Sequence, residues 1–376
     1  MSKAEDKPPM VKGWTTSITR IEPNRVEIVG HSIGEIVERR SLLETTHLLI
    51  KKKYPNEIRL QELHEICCDA TSLPHFPEPR LEDQDISKTL ARQFLGDEAI
   101  EKVPAEGLDG ECEKTVFCLG RVIRTIDLIL ESKGTKRASV PPDPKEPFSR
   151  WLYRVFAGGP HVGEERGRML QALVVACIDH GLTPPSTQVC RLAASARVPY
   201  EVALAQSVGA ISDVHGGASG RAAEFFIRYL KRQKESGMDP SDVLQGLMEK
   251  TIDQGKRIPG LGHRIHTADP RCDVLMSVAE ETGVEGQCVQ ALKSASSVFS
   301  RIRGFSLPIN VDGVIGAIVA DMGLPPIVAT LVFVLGRVAG LSAHYFEEVR
   351  TFPPMRWIDF SEAIYRDHSK KPMMPE

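Results

Sequence analysis

The chain has 376 residues, 41% of them apolar and 26% charged, and a formal net charge of −3. That length and composition suit a soluble globular protein with a large core, built as two or three domains or as one large helical domain with a smaller companion. The near-neutral balance argues against a nucleic-acid binder, although local basic clusters can still hold an anionic cofactor. Cys67, Cys68, Cys112, Cys118, Cys177, Cys190, Cys272 and Cys288 are scattered, with no Cys-x-x-Cys pair and no histidine at zinc spacing. Neither a metal site nor a disulfide framework is expected, and reduced thiols in a cytoplasmic protein are. The stretch Met1 to Pro9 is polar and carries acids, unlike a secretory signal or an organelle transit peptide. No uninterrupted apolar run reaches about 18 residues, so no membrane span is expected.

Residues 1–13 read as a disordered tail. From 14 to 30, β-branched residues partly alternate with polar ones up to Gly30-His31-Ser32, which predicts a small β hairpin. Apolar positions at three- and four-residue spacing from Ile33 to Lys53 predict two short amphipathic helices, and helix dominates thereafter. The stretch Ser132 to Arg150, with the polar run Lys133 to Arg137 and prolines at 141, 142, 144 and 147, cannot continue a helix and predicts an exposed loop. After Gly163 an apolar stripe of Met169, Leu170, Leu173, Val174 and Cys177 predicts a helix that delivers Asp179 and His180, with Pro184-Pro185 as its breaker. A pair of small-residue helices around Pro199 follows, then one over Ala222 to Lys234. Residues 235–300 form a more polar helical section suited to a small mobile domain. The segments Val314 to Asp321 and Ile327 to His344 predict apolar helices on either side of Gly323-Leu324-Pro325-Pro326, the second as central core or subunit interface. The expected fold is mostly α, with a large helical domain over 14–234 and 301–365, the small domain between, and a tail at 366–376.

The most informative stretch runs from Pro259 to Arg271, Pro-Gly-Leu-Gly-His-Arg-Ile-His-Thr-Ala-Asp-Pro-Arg. Two glycines let the backbone approach a ligand closely, Asp269-Pro270 punctuates the segment, and Arg271 is the residue type suited to bidentate carboxylate recognition. Such a loop can hold a carbonyl oxygen and a carboxylate at once. Alone, it is equally compatible with a surface turn carrying incidental basic residues.

Elsewhere stand Ile178-Asp179-His180-Gly181, Asp213-Val214-His215-Gly216-Gly217-Ala218 and Ile309-Asn310-Val311-Asp312-Gly313. In order and rough spacing, these four segments resemble the citrate synthase family. The likeness covers about residues 14 to 365 and is specific after residue 165. It is closest to the citryl-CoA lyase branch, including the lyase portion of ATP-citrate lyase, because Asn310-Val311-Asp312-Gly313-Val314-Ile315-Gly316 is similar to the segment found there. Val334 to Arg337 and Ala343 to Tyr345 support the same branch.

The resemblance implies a citrate synthase-like fold and a role for each residue. Asp312 would abstract the thioester methyl proton, its basicity raised by apolar neighbours. As an Asp near a helix start it could equally be a cap. His215 would donate to the thioester oxygen as the enolate forms, and His263 would bond the oxaloacetate carbonyl as general acid. His180, Arg271 and Arg337 would hold the oxaloacetate part, with Arg264 as helper. Arg356, or its competitor Arg350, would reach across a dimer interface. Pro259, Gly260, Leu261 and Gly262 would lie along the coenzyme A adenine, with Lys256 and Arg257 as phosphate contacts.

The implied reaction is reversible cleavage of citryl-CoA to acetyl-CoA and oxaloacetate, with coenzyme A thioester as substrate and no tightly bound cofactor or metal. Citrate synthase or 2-methylcitrate synthase is the alternative, and His215 favours it, since ATP-citrate lyase has no histidine there. A non-catalytic helical scaffold is a second alternative, but it has no physical need for His215, His263, Arg271 and Asp312 together. A homodimer or larger homo-oligomer is expected, with no nucleic acid and no membrane. No Gly-x-x-x-x-Gly-Lys-Ser/Thr loop is present, so an ATP-dependent reaction would need a citryl-CoA synthetase as partner.

Overall fold

At the amino end, Thr19–Glu22 (β1) turns at Pro23-Asn24 and pairs antiparallel with Arg25–Ile28 (β2), in the register Thr19↔Ile28 to Glu22↔Arg25. A two-residue hairpin turn needs a positive φ, and Asn24 supplies it at 59°. His31–Ser32 (β3) adds a short third strand beside β2. These coordinates come from a computed structural model that describes residues 14–74, 85–133, 142–158 and 163–356. The tails expected at 1–13 and 366–376 lie outside the described residues.

The two short helices expected after the hairpin are Ile33–Arg39 (α1) and Leu42–Lys51 (α2). A reciprocal capping box starts the second. Ser41 Oγ accepts the Glu44 N–H at 3.1 Å, and the Glu44 carboxylate accepts the Ser41 N–H at 2.8 Å. Helices Glu57–Ser72 (α3), Ile86–Gly96 (α4), Glu98–Lys102 (α5) and Gly107–Ser132 (α6) follow. Of the loop expected from Ser132 to Arg150, residues 134–141 lie outside the described residues, and its end is helical, because Phe148–Ala157 (α7) begins directly after Pro147. A proline at a helix boundary loses no intrahelical bond, and Phe148, Trp151, Leu152 and Phe156 form a face worth burying.

Glu164–Ala176 (α8) carries the chain to Asp179 and His180. Pro184-Pro185 does not break it; Pro185 opens Pro185–Ser195 (α9) as its first residue. Tyr200–Gly209 (α10) and Ala218–Ser236 (α11) complete this part. Pro240–Asp253 (α12), Pro270–Glu281 (α13) and Gln287–Arg303 (α14) make the polar section, and Val311–Asp321 (α15) and Ile327–Thr351 (α16) the apolar pair.

The last helix, α16, is the centre of the fold, packed against α2, α6, α8, α9, α10 and α11. It is long and apolar enough to cross a membrane, but 89% of its apolar window is buried inside the protein. Its approach to α8 depends on Gly336 and Gly340. A Cβ at Gly336 would lie 2.2 Å from Val174 O, and one at Gly340 would lie 2.3 Å from Ile178 O. That closeness sets Arg337 over the end of α8. On the other side α15 packs on α11, where a Cβ at Gly316 would lie 2.5 Å from Ala222 Cβ. The Asp321 carboxylate at the end of α15 accepts the N–H groups of Gly286, Cys288 and Val289, tying down the start of α14. All eight cysteines are buried and none forms a disulfide.

Candidate active site

Two segments remote in sequence are joined in a seam. The Gly262 N–H donates to Pro308 O at 2.7 Å, the Asn310 N–H to Gly260 O at 3.0 Å, and Asn310 Nδ2 to Gly262 O at 2.7 Å. Asn310 also caps α15, its Oδ1 accepting the Gly313 N–H at 3.0 Å. Gly260 has a φ of +88°, and a Cβ on it would lie 2.7 Å from Gly313 Cα. His263, just after the first segment, and Asp312, just after the second, therefore leave the seam together.

Three imidazoles meet on this loop. The ring centroids of His263 and His266 are 4.5 Å apart, and those of His180 lie 6.0 and 5.6 Å from them. His263 Nδ1 accepts the N–H groups of Ile265 at 3.0 Å and His266 at 2.9 Å. His266 Nδ1 accepts the N–H of Asn24, from the turn of the amino-terminal hairpin, at 2.9 Å. Burial lowers the proton affinity of all three rings, and for His180 the Arg271 and Arg337 charges lower it further. The rings are neutral near pH 7.

Asp269 caps α13 and holds Arg271 in a fork, with Nε at 2.9 Å and Nη2 at 2.7 Å. Burial alone would raise the Asp269 pKa; the charge and hydrogen bonds of Arg271 outweigh it and hold the carboxylate well below its usual range. Arg337 is different. It is 2% exposed, its Nε donates to Cys177 O at 3.3 Å and its guanidinium lies 4.9 Å from the Phe333 ring centroid. Its Nη1 has no partner, and no carboxylate comes within 4.0 Å of it among the described residues. The Nδ1 of neighbouring His180 is likewise unpartnered and buried.

Asp312 stands in the first turn of α15, where the helix dipole favours its anion. Burial nonetheless raises its pKa above the ordinary carboxylate value. Arg271, Arg221 and Arg337 oppose that shift, and Asp269 reinforces it. His215 precedes Gly216, shares a 2.9 Å hydrogen bond between Nε2 and Ser186 Oγ, and meets Phe333 edge to face at 5.6 Å. Burial, then the charges of Arg337 and Arg264, push it down to about 4. The turn bearing His180 is pinned from behind: Asp179 Oδ2 accepts the Gly181 N–H at 2.9 Å, and His344 Nε2 lies 3.2 Å from Asp179 Oδ1. The assembly offers a proton-accepting carboxylate, neutral imidazole donors and a buried cation lacking an anion.

His180, His215, His263, Arg271, Asp312 and Arg337 are thus brought into one neighbourhood. Arg264 is exposed beside His215. Lys256 and Arg257 are exposed between α12 and the seam, while Pro259, Gly260, Leu261 and Gly262 form one side of it, with Leu261 bridged to Ile309. Arg356 lies elsewhere in the chain's own fold, 2.7 Å from Glu348 Oε1, with its guanidinium 3.7 Å from the Phe352 ring centroid. Arg350 pairs with Glu111. His266, Asn24, the Asp269 carboxylate, Ser186 and Phe333 also stand in this neighbourhood, beyond the residues expected there. His266 had a visible signal, a second histidine three places after the first; Asn24 had none.

A family model described as "Citrate synthase, C-terminal domain" matches residues 10–357. The chain is 24% identical over 336 residues to a citrate synthase of Saccharolobus solfataricus, with 85% of each covered. It is 30% identical to the structure of a citryl-CoA lyase from Hydrogenobacter thermophilus, covering 61% of this chain and 88% of that one with a TM-score of 0.53. The fold of a citrate synthase from Thermotoga maritima covers 97% of this chain and 96% of its own at 20% identity, with a TM-score of 0.74. The chain belongs to the citrate synthase family and is an enzyme of the citrate synthase and citryl-CoA lyase type.

Proposed function

We propose that this enzyme interconverts citryl-CoA with acetyl-CoA and oxaloacetate. The observation that carries the reading is Arg337, a buried guanidinium with an open Nη1 beside the open Nδ1 of His180. An uncompensated buried cation is costly, and a carboxylate ligand relieves the cost. With Arg271 and Arg264 it gives the oxaloacetate carboxylates several cations to meet.

In the condensing direction Asp312 takes a proton from the thioester methyl while His215 donates to the thioester oxygen, whose charge grows as the enolate forms. The enolate carbon attacks the ketone carbon of oxaloacetate, and the new alkoxide takes the proton from His263 Nε2. The N–H groups of Ile265 and His266, already donating to His263 Nδ1, steady the electron density left on that ring. Cleavage runs these steps backwards. Coenzyme A lies along Pro259, Gly260, Leu261 and Gly262, with its phosphates toward Lys256 and Arg257. No metal enters, since arginines and imidazoles supply the electrophilic assistance. The enzyme works as a homodimer, with Arg356 or Arg350 at the shared face.

Cleavage is favoured over net citrate synthesis because Val314 and Ile315, which follow Asp312, are fully buried and position water poorly for thioester hydrolysis. The polar His215–Ser186 pair supports the second reading, citrate or 2-methylcitrate synthase. Incubation with synthetic citryl-CoA separates them. Acetyl-CoA with oxaloacetate is the expected product, and predominant free CoA with citrate would establish the synthase instead.

A further inference from the structure

His180, His263 and His266 each bring one ring nitrogen within 4.8 Å of the others, the spacing of a metal site. The hydrogen bonds around the rings argue otherwise. A nitrogen that accepts an N–H bond uses its lone pair and carries no proton, so in a neutral imidazole the other nitrogen must carry it. The backbone N–H groups on Nδ1 of His263 and of His266 thus fix both rings with the proton on Nε2. Neither Nε2 then has a lone pair for a cation. Two of the three rings offer N–H donors where a metal needs acceptors.

That leaves His266 unexplained. It is 1% exposed, its Nδ1 is occupied by Asn24, and its Nε2 is buried with no partner. A donor left unmade inside a protein is expensive unless a ligand completes it. The fold holds the ring firmly: Asn24 Oδ1 accepts the N–H groups of Thr267 and Ala268, both at 2.9 Å, and Asn24 Nδ2 donates to Thr267 Oγ1 at 2.8 Å. The hairpin turn thereby clamps the whole segment from 266 to 268.

We propose that His266 is a substrate-binding residue whose Nε2–H, set in that tautomer by the Asn24 backbone, donates to an anionic oxygen of the 2-oxo or 2-hydroxy acid in this site. This rests on the oxaloacetate reading given above. The loop then supplies two parallel imidazole donors: His263 for the oxygen that changes charge, and His266 for a carboxylate oxygen that does not. Its contribution falls on binding of the acid, with the thioester left to other groups.

Calorimetry with oxaloacetate alone, on the full chain and on the variants His266→Gln and His266→Ala, tests this together with ¹⁵N spectra of the histidine rings in the unaltered protein. Expected are at least about tenfold weaker oxaloacetate binding in His266→Ala, the scale of one charge-assisted bond, and partial recovery in His266→Gln, whose amide keeps a donor near Nε2. In the unaltered protein His266 should show the Nε2–H form and a downfield shift of that proton on adding oxaloacetate. Unchanged affinity in a folded His266→Ala, a protonated Nδ1, or stoichiometric Zn²⁺ binding lost in that variant would overturn the proposal. If the unaltered protein itself fails to bind oxaloacetate, the proposed function falls as well, so the two failures are distinguishable.

Discussion

Gly260 and Gly313 meet backbone to backbone: a Cβ on Gly313 would lie 2.6 Å from Gly260 Cα and 2.8 Å from Gly260 O. Neither neighbour is a flexible side-chain end, so any side chain at either position pushes the loop off α15. His263 and Asp312 ride on opposite sides of that contact. A misplacement of about 1 Å between reacting groups costs on the order of a hundredfold in rate. Gly313→Ala should therefore lower kcat by tenfold or more while the protein remains folded by circular dichroism. Turnover within twofold of the parent would show that the seam does not set the geometry.

Helix α16 poses an opposite choice at Gly336. Replacing an interior helical glycine with alanine ordinarily gains about 1 kcal/mol of helix propensity. Here the added methyl would sit 2.2 Å from a backbone oxygen, and overpacking of that kind costs about 1 to 3 kcal/mol or more. The second effect wins, so Gly336→Ala should lower the urea midpoint. A raised midpoint would mean that the helices separate without cost.

Acid should destabilise the protein earlier than its carboxylates alone would require. Burial lowers the pKa of His47, His64, His180, His215, His263 and His266. In the unfolded chain these rings titrate near about 6.5. Below that pH the unfolded state binds protons that the folded state refuses, so stability falls as pH drops, and the His215 share of the loss is complete near about 4. Asp312, with its raised pKa, acts in the opposite sense but is a single group. The urea midpoint at pH 5.5 should lie below that at pH 7.5, and an equal or higher midpoint would contradict neutral burial of these rings.

Residues 235–300, which contain α12, α13 and most of α14, are proposed to swing over bound oxaloacetate, excluding water and completing the coenzyme A site. The affinity for a non-reactive acetyl-CoA analogue should rise when oxaloacetate is present, with a smaller radius of gyration in solution scattering. Equal affinity and unchanged scattering would count against closure.

Local signals made much of this protein legible. The hairpin, the paired helices after it, and the apolar α15 and α16 all follow from periodicity and from Gly and Pro positions. The loop expected to Arg150 overruns the start of α7, because Pro147 stands at a helix boundary, where a proline removes no intrahelical hydrogen bond. The residues that the fold gathers around His180 and Asp312 were legible through the likeness of four short segments. What surrounds it was not: Asn24 lies 242 positions from His266, and Asp179 lies 165 from His344. Nothing in either local sequence names its partner. Arg337 could be read as a carboxylate ligand, but that no carboxylate among the described residues lies within ion-pair distance of it is visible only once the helices are packed.

The central claim is that Asp312 removes the methyl proton, and replacing its carboxylate by an amide of the same shape tests it most directly. Asp312→Asn should bind oxaloacetate and a coenzyme A analogue with affinities close to the parent's, while turnover falls by about a hundredfold or more, the scale of a lost general base. Exchange of acetyl-CoA methyl protons with deuterated solvent should fall in parallel. Near-normal exchange and turnover in Asp312→Asn would show that another group is the base.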